Sequence, residues 1–366
     1  MKIFLVSLLL LQVMAAAAQK EFYLLVGTYT NSGSEGIYVY KFDPATGDAT
    51  AVSHAHSSNP SFLAVAPDEK FVYAINEDKE GKVTAFTFDK NNGTLSAINQ
   101  TSSGGSHPCY ITIDKNGKWV LTGNYSSGTL SLHAVRKDGG LDSAIQVIEH
   151  SGYSVNTDRQ EGPHVHATVL SPDNKFLFVP DLGIDRVHIY SFDPKKGQLQ
   201  PAAVPFQITE PGAGPRHLDF HPNGAYAYLI EELTGSISVY RYNKGDLLLQ
   251  QNISALPGDY DGPVGSADIH VAPDGKFLYA SNRGESNTIA IFSINREGRL
   301  APVGHVSTLG KTPRNFNFDP TGKYLLVANQ NSDEIVIFSR DQKSGMLTDT
   351  GKRIAISRPV CIKWIK

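Results

Sequence analysis

The sequence repeats itself seven times, and this repetition restricts the folds that the chain can adopt. A proline, or in one copy a serine, marks each repeat, and the markers are Pro60, Pro108, Pro163, Pro215, Ser266, Pro313 and Pro359. Each marker before the last leads into a short strand, a turn such as His221-Pro222-Asn223-Gly224, and a second strand. A period of about 45–50 residues with four short strands per repeat is typical of a β-propeller. We therefore predict an all-β fold, a seven-bladed β-propeller.

The two ends of the chain complement each other. Pro359 is followed by a single strand, after which the sequence stops, whereas residues 21–29 and 36–42 resemble the second and third strands of a repeat. We expect the C-terminal strand to pair with the N-terminal blade and to close the ring, which would leave no exposed inner edge.

The first 18 residues have the pattern of a secretory signal peptide. Lys2 precedes an apolar run from Ile3 to Met14, and four alanines end at Ala18, after which we predict cleavage. A membrane anchor is the alternative, but it needs about 20 apolar residues. We predict an exported protein without membrane insertion, in which residues 19–366 form one propeller domain.

Charge and cysteine content exclude some functions. The formal net charge of −3 provides no basic face for nucleic acid. Cys109 and Cys361 should face opposite ways on blades that are not neighbours, so packed thiols are favoured over a disulfide or a catalytic thiol. A closed ring needs no partner for stability, and we expect a monomer.

The repeats differ most at one end of the ring. The start of each innermost strand and the end of the next strand are antiparallel neighbours, so both lie at the same mouth of the central channel. A structural repeat should place similar residues there. Instead, the mouth receives His166, Arg216, Arg314, Glu77, Glu232 and Arg283.

Other polar residues of the repeats fit structural roles. Recurring asparagines end the second strands and are predicted to cap them through bonds to the backbone, and they are Asn76, Asn124, Asn282 and Asn329. His217, Asp219 and His221 are interpreted as core or turn residues.

The side chains at the mouth suit a small, oxygen-rich anion or a lactone. Arginines offer forked donors to carboxylate or phosphate and could stabilise the oxyanion that forms when water attacks a carbonyl group. His166 could take a proton from that water at neutral pH. Glu232, flanked by arginines, should have a lowered pKa and would orient His166 or the water. A structural ring of salt bridges is the alternative.

A metal site is a further alternative at this mouth. His164 and His166 place two imidazoles on one strand face, but no third ligand has a convincing spacing to them. Glu77 and the ring of asparagines could supply oxygen ligands, so a site for a divalent ion at this mouth remains an alternative.

Four stretches resemble the seven-bladed lactonase family, which includes propeller-type 6-phosphogluconolactonase and fungal carboxy-cis,cis-muconate cyclase. They are GPHVHATVLSPDNKFLFVPDLGIDRVHIY, GPRHLDFHPNGAYAYLIEEL, GSADIHVAPDGKFLYASNRG and TPRNFNFDPTGKYLLVANQNSDEIVIF, and the resemblance covers essentially all of residues 19–366. By motif, the family's functional residues correspond to His166 in PHVH, Arg216 in GPRH, Glu232 in EEL and Arg283 in SNRG. The resemblance also implies that no metal or other cofactor is required.

Together, these observations predict an enzyme that hydrolyses a sugar-derived lactone. His166 would be the general base and Glu232 would orient it, while Arg216 and Arg283 would bind the carbonyl group or an acidic substituent. Further contacts to the substrate are expected from His164, Glu77, Arg314 and Tyr125. The family substrate is 6-phosphogluconolactone, but the export signal favours an unphosphorylated lactone.

Two other functions remain compatible with the sequence. A non-catalytic exported propeller could bind a glycan or a protein partner, using Tyr29, Tyr125 and Tyr153 as a platform. Lactone formation, as in the fungal cyclase, could use the same residues as hydrolysis.

Overall fold

Seven four-stranded antiparallel sheets follow one another around a ring in the computed structural model, which describes residues 21–366. The predicted signal peptide, residues 1–18, lies outside the described residues. None of the helices formed by the described residues is long and apolar enough to span a membrane. The predicted all-β, seven-bladed architecture is confirmed.

Each sheet is one blade, and its strands are ordered from the innermost, at the channel, to the outermost. Blade 1 consists of β28 (Pro359–Ile365), β1 (Phe22–Thr28), β2 (Gly36–Asp43) and β3 (Asp48–His56); blade 2 of β4 (Leu63–Val65), β5 (Phe71–Asn76), β6 (Lys82–Asp89) and β7 (Thr94–Ser102). Blade 3 consists of β8 (Pro108–Ile113), β9 (Trp119–Asn124), β10 (Thr129–Ala134) and β11 (Gln146–Glu149); blade 4 of β12 (Val169–Leu170), β13 (Phe176–Asp181), β14 (Arg186–Asp193) and β15 (Gln198–Ile208); blade 5 of β16 (Pro215–Phe220), β17 (Tyr226–Glu231), β18 (Ser236–Asn243) and β19 (Asp246–Ser254). Blade 6 consists of β20 (Ser266–Val271), β21 (Phe277–Asn282), β22 (Thr288–Ile294) and β23 (Leu300–Ser307); blade 7 of β24 (Pro313–Phe318), β25 (Tyr324–Asn329), β26 (Glu334–Arg340) and β27 (Leu347–Ala355). Within residues 21–366, two short 3-10 helices cover Leu182–Ile184 and Gln330–Ser332.

The hydrophobic core lies between the blades. Leu24, Leu25 and Val26 are consecutive in β1 and all fully buried, which shows that this strand is covered on both faces. Apolar clusters join side chains of successive blades, as where Phe178 of blade 4 packs with Leu229 of blade 5. A blade therefore depends on its two neighbours for burial.

Blade 1 is assembled from both ends of the chain. β28 pairs antiparallel with β1, with Leu24 opposite Trp364 and Val26 opposite Ile362. Val26 and Ile362 also share a buried cluster with Leu326 of blade 7. The predicted closure of the ring by the C-terminal strand is confirmed.

A register shift recurs where the innermost strands begin. In blade 5, Pro215 pairs with Glu231 but His217 pairs with Ile230, so Arg216 is an extra residue on its strand. The same shift makes Cys109 an extra residue in β8 and Arg314 one in β24. Such β-bulges redirect a side chain, here at one end of the channel.

Blade 4 has the same arrangement although its innermost strand is short. Val165 forms an isolated bridge with Asp181, and the pairing has shifted by one residue where Val169 lies opposite Phe178. His166 follows Val165 as Arg216 follows Pro215. His166 therefore occupies in blade 4 the position that Arg216 occupies in blade 5.

The recurring asparagines connect four of the blades to the segments that enter them. Their buried side-chain amides donate hydrogen bonds to backbone carbonyl oxygens, from Asn76 to Ser58 (2.6 Å), Asn124 to Ser103 (3.0 Å), Asn282 to Ala255 (2.7 Å) and Asn329 to Thr308 (3.0 Å). Their predicted structural role is confirmed.

Replacing Ile362 by alanine should destabilise the closed ring. Ile362 is fully buried, so its truncation leaves a cavity between blades 7 and 1 and should lower the free energy of unfolding by about 2–5 kcal/mol. Ile208→Ala, at a side chain that is 60% exposed, is the matched control. Urea unfolding followed by circular dichroism measures the stability of both variants. If Ile362→Ala were as stable as the wild type, the result would contradict the importance of this contact.

Candidate active site

A charged cavity of about 310 Å³ opens at the mouth where the second strands end. Its walls combine residues that directly follow those strands with residues from the bulges, and its lining consists of Tyr29, Glu77, Cys109, Tyr125, Arg159, His166, Glu232, Arg283 and Arg314. Six of the eight side chains predicted to form the site are in this lining. Arg216 and His164 lie behind it.

Glu232 is the centre of the cluster. Arg216 Nε donates to its Oε2 at 2.8 Å, and Arg283 Nη2 forms an ion pair with the same oxygen at 3.0 Å. Arg159 Nη2 donates to Oε1 at 2.7 Å. Three guanidinium groups thus converge on one carboxylate, only 7% of which is exposed.

The charges around Glu232 outweigh its burial. Burial alone would raise the pKa of this carboxyl group, but Arg283 and Arg216, with smaller contributions from His166 and Arg159, hold the pKa well below its usual range. Glu232 is therefore ionised at neutral pH, as expected from the sequence. An ionised carboxylate in this position can accept a hydrogen bond from a water molecule and so orient it.

Arg216 supports Glu232 from the channel side. Its side chain is 1% exposed, and its Nη1 donates to Ala267 O at 2.6 Å and to His217 Nε2 at 3.2 Å. Burial, and secondarily the charge of Arg283, lower the pKa of Arg216 to about 10, so it stays cationic at neutral pH. Arg216 was expected to bind substrate, whereas the structure places it behind Glu232.

His166 faces Glu232 without a direct hydrogen bond. Its Nε2 lies 4.0 Å from Glu232 Oε2, which is too long for such a bond. On the other side of the ring, Nδ1 lies 3.8 Å from Cys109 Sγ. Burial and the charge of Arg216 lower the pKa of His166 well below its usual value, so its imidazole is neutral at pH 7.

His164 lies behind Tyr125. The two rings stack with centroids 4.4 Å apart, and His164 Nδ1 donates to Tyr125 O at 3.0 Å. The ring of His166 contacts the same tyrosine edge-on, with a centroid distance of 5.6 Å. His164 was expected to bind substrate, but its position suits it to hold Tyr125 in place.

The opposite wall is formed by Glu77, Tyr29 and Arg314. Tyr29 Oη donates to Glu77 Oε2 at 2.9 Å, and Arg314 Nη2 lies 3.9 Å from the same oxygen. The Arg314 guanidinium also lies over the Tyr29 ring, 5.6 Å from its centroid. This wall offers hydroxyl, carboxylate and guanidinium groups to a bound ligand.

His217 has a larger role than the core position predicted for it from the sequence. Its Nε2 accepts from Arg216, and its Nδ1 donates to Asp268 Oδ1 at 2.8 Å. Burial, followed by the charge of Arg216, lowers the pKa of His217 to about 4, so its neutral ring can accept from Arg216. His217 thus links the Glu232 cluster to Asp268 in the channel.

Arg159 was not predicted from the sequence. This residue lies between β11 and β12, in the longest of the intervals between repeat markers, the 55 residues from Pro108 to Pro163. The extra length brings Arg159 to the cavity, where its Nη2 also donates to Tyr125 Oη at 3.2 Å. The greater length of this interval was the feature of the sequence that could have pointed to Arg159.

The cavity cluster has more positive than negative groups. Arg159, Arg283 and Arg314 line it with Glu77 and Glu232, and Arg216 lies directly behind. Four guanidinium groups against two carboxylates leave an excess of two positive charges. The site therefore favours a ligand with negative charge or one that develops it during reaction.

Glu231→Gln should change how stability depends on pH. Glu231 ends β17, where four other blades have asparagine, and burial raises its pKa to about 7. Folding thus favours its protonated form, and stability falls as pH rises from about 4.5 through 7. Removing the ionisable group should recover roughly 2–3 kcal/mol at pH 8.5 and little at pH 5.

The control is Glu297→Gln, which replaces a carboxylate that is 78% exposed. Thermal unfolding of the three proteins at both pH values gives the comparison. If Glu231→Gln and the wild type have equal stability at both pH values, the result would contradict the raised pKa of Glu231.

A closed seven-bladed propeller with a charged cavity at one mouth of its channel belongs to the class of propellers that bind small molecules there. A family model described as "Lactonase, 7-bladed beta-propeller" matches residues 23–364. The chain belongs to this family.

Named relatives and solved structures agree with the family. The chain is 38% identical to the 6-phosphogluconolactonase of Bacillus subtilis over 349 residues, which cover 93% of this chain and 97% of that one. It is also 38% identical to the 6-phosphogluconolactonase of Formosa agariphila over 343 residues, covering 91% of this chain and 97% of that one.

Among solved structures, the periplasmic gluconolactonase of Pseudomonas aeruginosa superposes with a TM-score of 0.91 at 37% identity, covering 95% of this chain and 99% of that one. A protein of Bacteroides fragilis, provisionally named a 6-phosphogluconolactonase, also gives a TM-score of 0.91, at 40% identity, with 96% and 99% coverage.

Proposed function

We propose that the protein is a lactonase that hydrolyses a sugar-derived lactone in the mouth cavity. The observation that carries this proposal is the pairing of an ionised Glu232 with a neutral His166, whose facing atoms are 4.0 Å apart. That separation allows one water molecule to contact both side chains. The activities named for the relatives support the same reaction class.

The chemistry needs a water, a base and a stabilised oxyanion. Glu232 accepts a hydrogen bond from the water, and His166 takes the other proton as the water oxygen attacks the carbonyl carbon. Arg283 and Arg159 stabilise the negative charge on the carbonyl oxygen. The ring carbon–oxygen bond then breaks, His166 returns the proton to the leaving oxygen, and a hydroxy acid is released.

The structural salt-bridge alternative fits the cavity less well. A ring of ion pairs that only closed the channel would leave little space, yet about 310 Å³ is open beside Glu232. The glycan-binding alternative would use an aromatic platform. Tyr29 and Tyr125 are the aromatic residues of the lining, and both hydroxyl groups are engaged by charged neighbours.

The substrate is a sugar lactone such as gluconolactone or 6-phosphogluconolactone. The excess positive charge suits both the carboxylate product and a phosphate group. Glu77, Arg314 and Tyr125 would contact the sugar hydroxyl groups. We further propose that the protein is exported, which the predicted signal peptide and the periplasmic neighbour support. We also propose a monomer, because a closed ring needs no partner for its stability, and a reaction that uses no cofactor.

Glu232→Gln tests the reaction directly. The amide keeps the shape but loses the charge that pairs with the arginines, so turnover of residues 19–366 should fall by about 100-fold or more. Acid release from gluconolactone and from 6-phosphogluconolactone, with and without chelator, is measured against spontaneous hydrolysis. Glu297→Gln is the control. Turnover that survives in Glu232→Gln, or that chelator abolishes, would contradict the proposal.

Hydrolysis should require the neutral form of His166. Because its pKa is lowered, His166 stays neutral under mildly acidic conditions. We therefore expect kcat/KM of the wild type to stay level between about pH 6 and 8, where an ordinary histidine would lose activity below about 6.5. His166→Ala should lose turnover by about 100-fold or more and stay folded. His221→Ala, in a turn at the other end of the channel, is the control.

Initial rates over this pH range, corrected for spontaneous hydrolysis, give the profile. A decline centred near pH 6.5, or full activity in His166→Ala, would reject the role of this histidine.

A further inference from the structure

Three potential metal ligands converge on the outer strand of blade 1, away from the mouth cavity. Glu35 Oε2 lies 2.9 Å from His54 Nε2 and 3.4 Å from His56 Nδ1. Within residues 21–366, this is the one group of three histidine, cysteine or carboxylate side chains whose ligand atoms all lie within 4.8 Å of one another. All three side chains are exposed to solvent.

The sheet holds the backbone of this group in place. β2 and β3 pair so that Gly36 lies opposite His56 and Tyr38 lies opposite His54. Glu35 is attached to the start of this ladder, because Ser57 N donates to its carbonyl oxygen at 3.2 Å and its own N–H donates to Tyr38 Oη at 3.1 Å. The two histidines alternate with buried Ala55 and therefore share the opposite face of β3.

Gly36 is required for this close arrangement. Its φ is +144°, and a Cβ atom there would lie 2.4 Å from Ala55 O and 2.6 Å from Ser57 N. The absence of a side chain at Gly36 allows the backbones of β2 and β3 to approach closely beside His56. The three ligand atoms thus meet because of the strand register.

The spacing matches a small tetrahedral cation. With metal–ligand distances of about 2.0–2.1 Å, the ligand atoms of a tetrahedral Zn²⁺ site lie roughly 3.3 Å apart. The distances from Glu35 Oε2 to the two histidines bracket this value. Two imidazoles and one carboxylate also form a donor set used by zinc sites that keep one position open.

We propose that Glu35, His54 and His56 form a surface site for Zn²⁺ or a similar divalent transition-metal ion. The carboxylate and the two imidazole nitrogens occupy three positions, and solvent occupies the fourth. Such a site is separate from the lactone chemistry, which proceeds without it. Its structural effect is to tie the loop between β1 and β2, which begins with the cavity residue Tyr29, to the outer strand of the same blade.

Zinc binding to tag-free protein, followed by isothermal titration calorimetry, tests the proposal. We expect one Zn²⁺ per chain with a micromolar dissociation constant and no comparable binding of Mg²⁺, which prefers oxygen ligands. Loss of a residue that only hydrogen-bonds a metal ligand costs about 10–100-fold in affinity, so loss of a ligand should cost about 100-fold or more. Glu35→Gln and His54→Ala should each show that loss.

Two controls keep the test independent of folding and of catalysis. Glu297→Gln removes a distant exposed carboxylate and should bind Zn²⁺ like the wild type. The Glu35→Gln and His54→Ala proteins should unfold at the same temperature as the wild type in chelator and lose its zinc-dependent increase in that temperature. Their lactone hydrolysis should be unchanged.

Cobalt substitution reports the geometry. Co²⁺ in the wild-type protein should give the intense visible absorption of tetrahedral coordination, and Glu35→Gln should lose it. Equal Zn²⁺ affinity in the wild type and both variants, or weak Co²⁺ absorption typical of octahedral coordination, would overturn the proposal and indicate binding at unrelated surface groups.

Discussion

Every blade of this protein depends on its neighbours for burial, and so the ring must close. The middle strands carry apolar side chains on both faces, and the clusters that bury them lie between successive blades. Closure rests on the pairing of β28 with β1, which places Ile362 against blade 7. A blade on its own would expose one or both apolar faces, and the ring removes that exposure without a partner chain.

The closed ring also fixes the positions of the side chains at the mouth cavity. Seven second strands end at the same mouth, and in blades 1, 3, 5, 6 and 7 a register shift of the innermost strand lies beside the end of the second strand. The repeat supplies equivalent positions, and the chain uses them for different side chains. Glu232 follows β17 and Arg283 follows β21, and their contact is therefore a contact between neighbouring blades. The stability of the ring and the geometry of the site thus have a common origin.

The fold and most of the site could be predicted from the sequence because both follow from the repeat. The marker residues predicted the strand starts in five blades, and the comparison of copies identified Glu232, His166 and Arg283 before any contact was known. Arg159 was missed because it lies in the irregular interval, where no equivalent position exists in another repeat. The positions of Arg216 and His164 behind the cavity wall could not be predicted, since spacing along a chain does not show which of two neighbouring side chains lies in front.

The mouth cavity is proposed to bind and hydrolyse a lactone, and the position of the bound product tests this most directly. The measurement is a crystal structure of the protein with the hydroxy acid product, gluconate or 6-phosphogluconate. We expect density in the cavity, with the product carboxylate contacting Arg283 or Arg159 and lying next to His166 and Glu232. A product bound elsewhere, or a cavity that stays without ligand at concentrations that inhibit turnover, would contradict the proposed site.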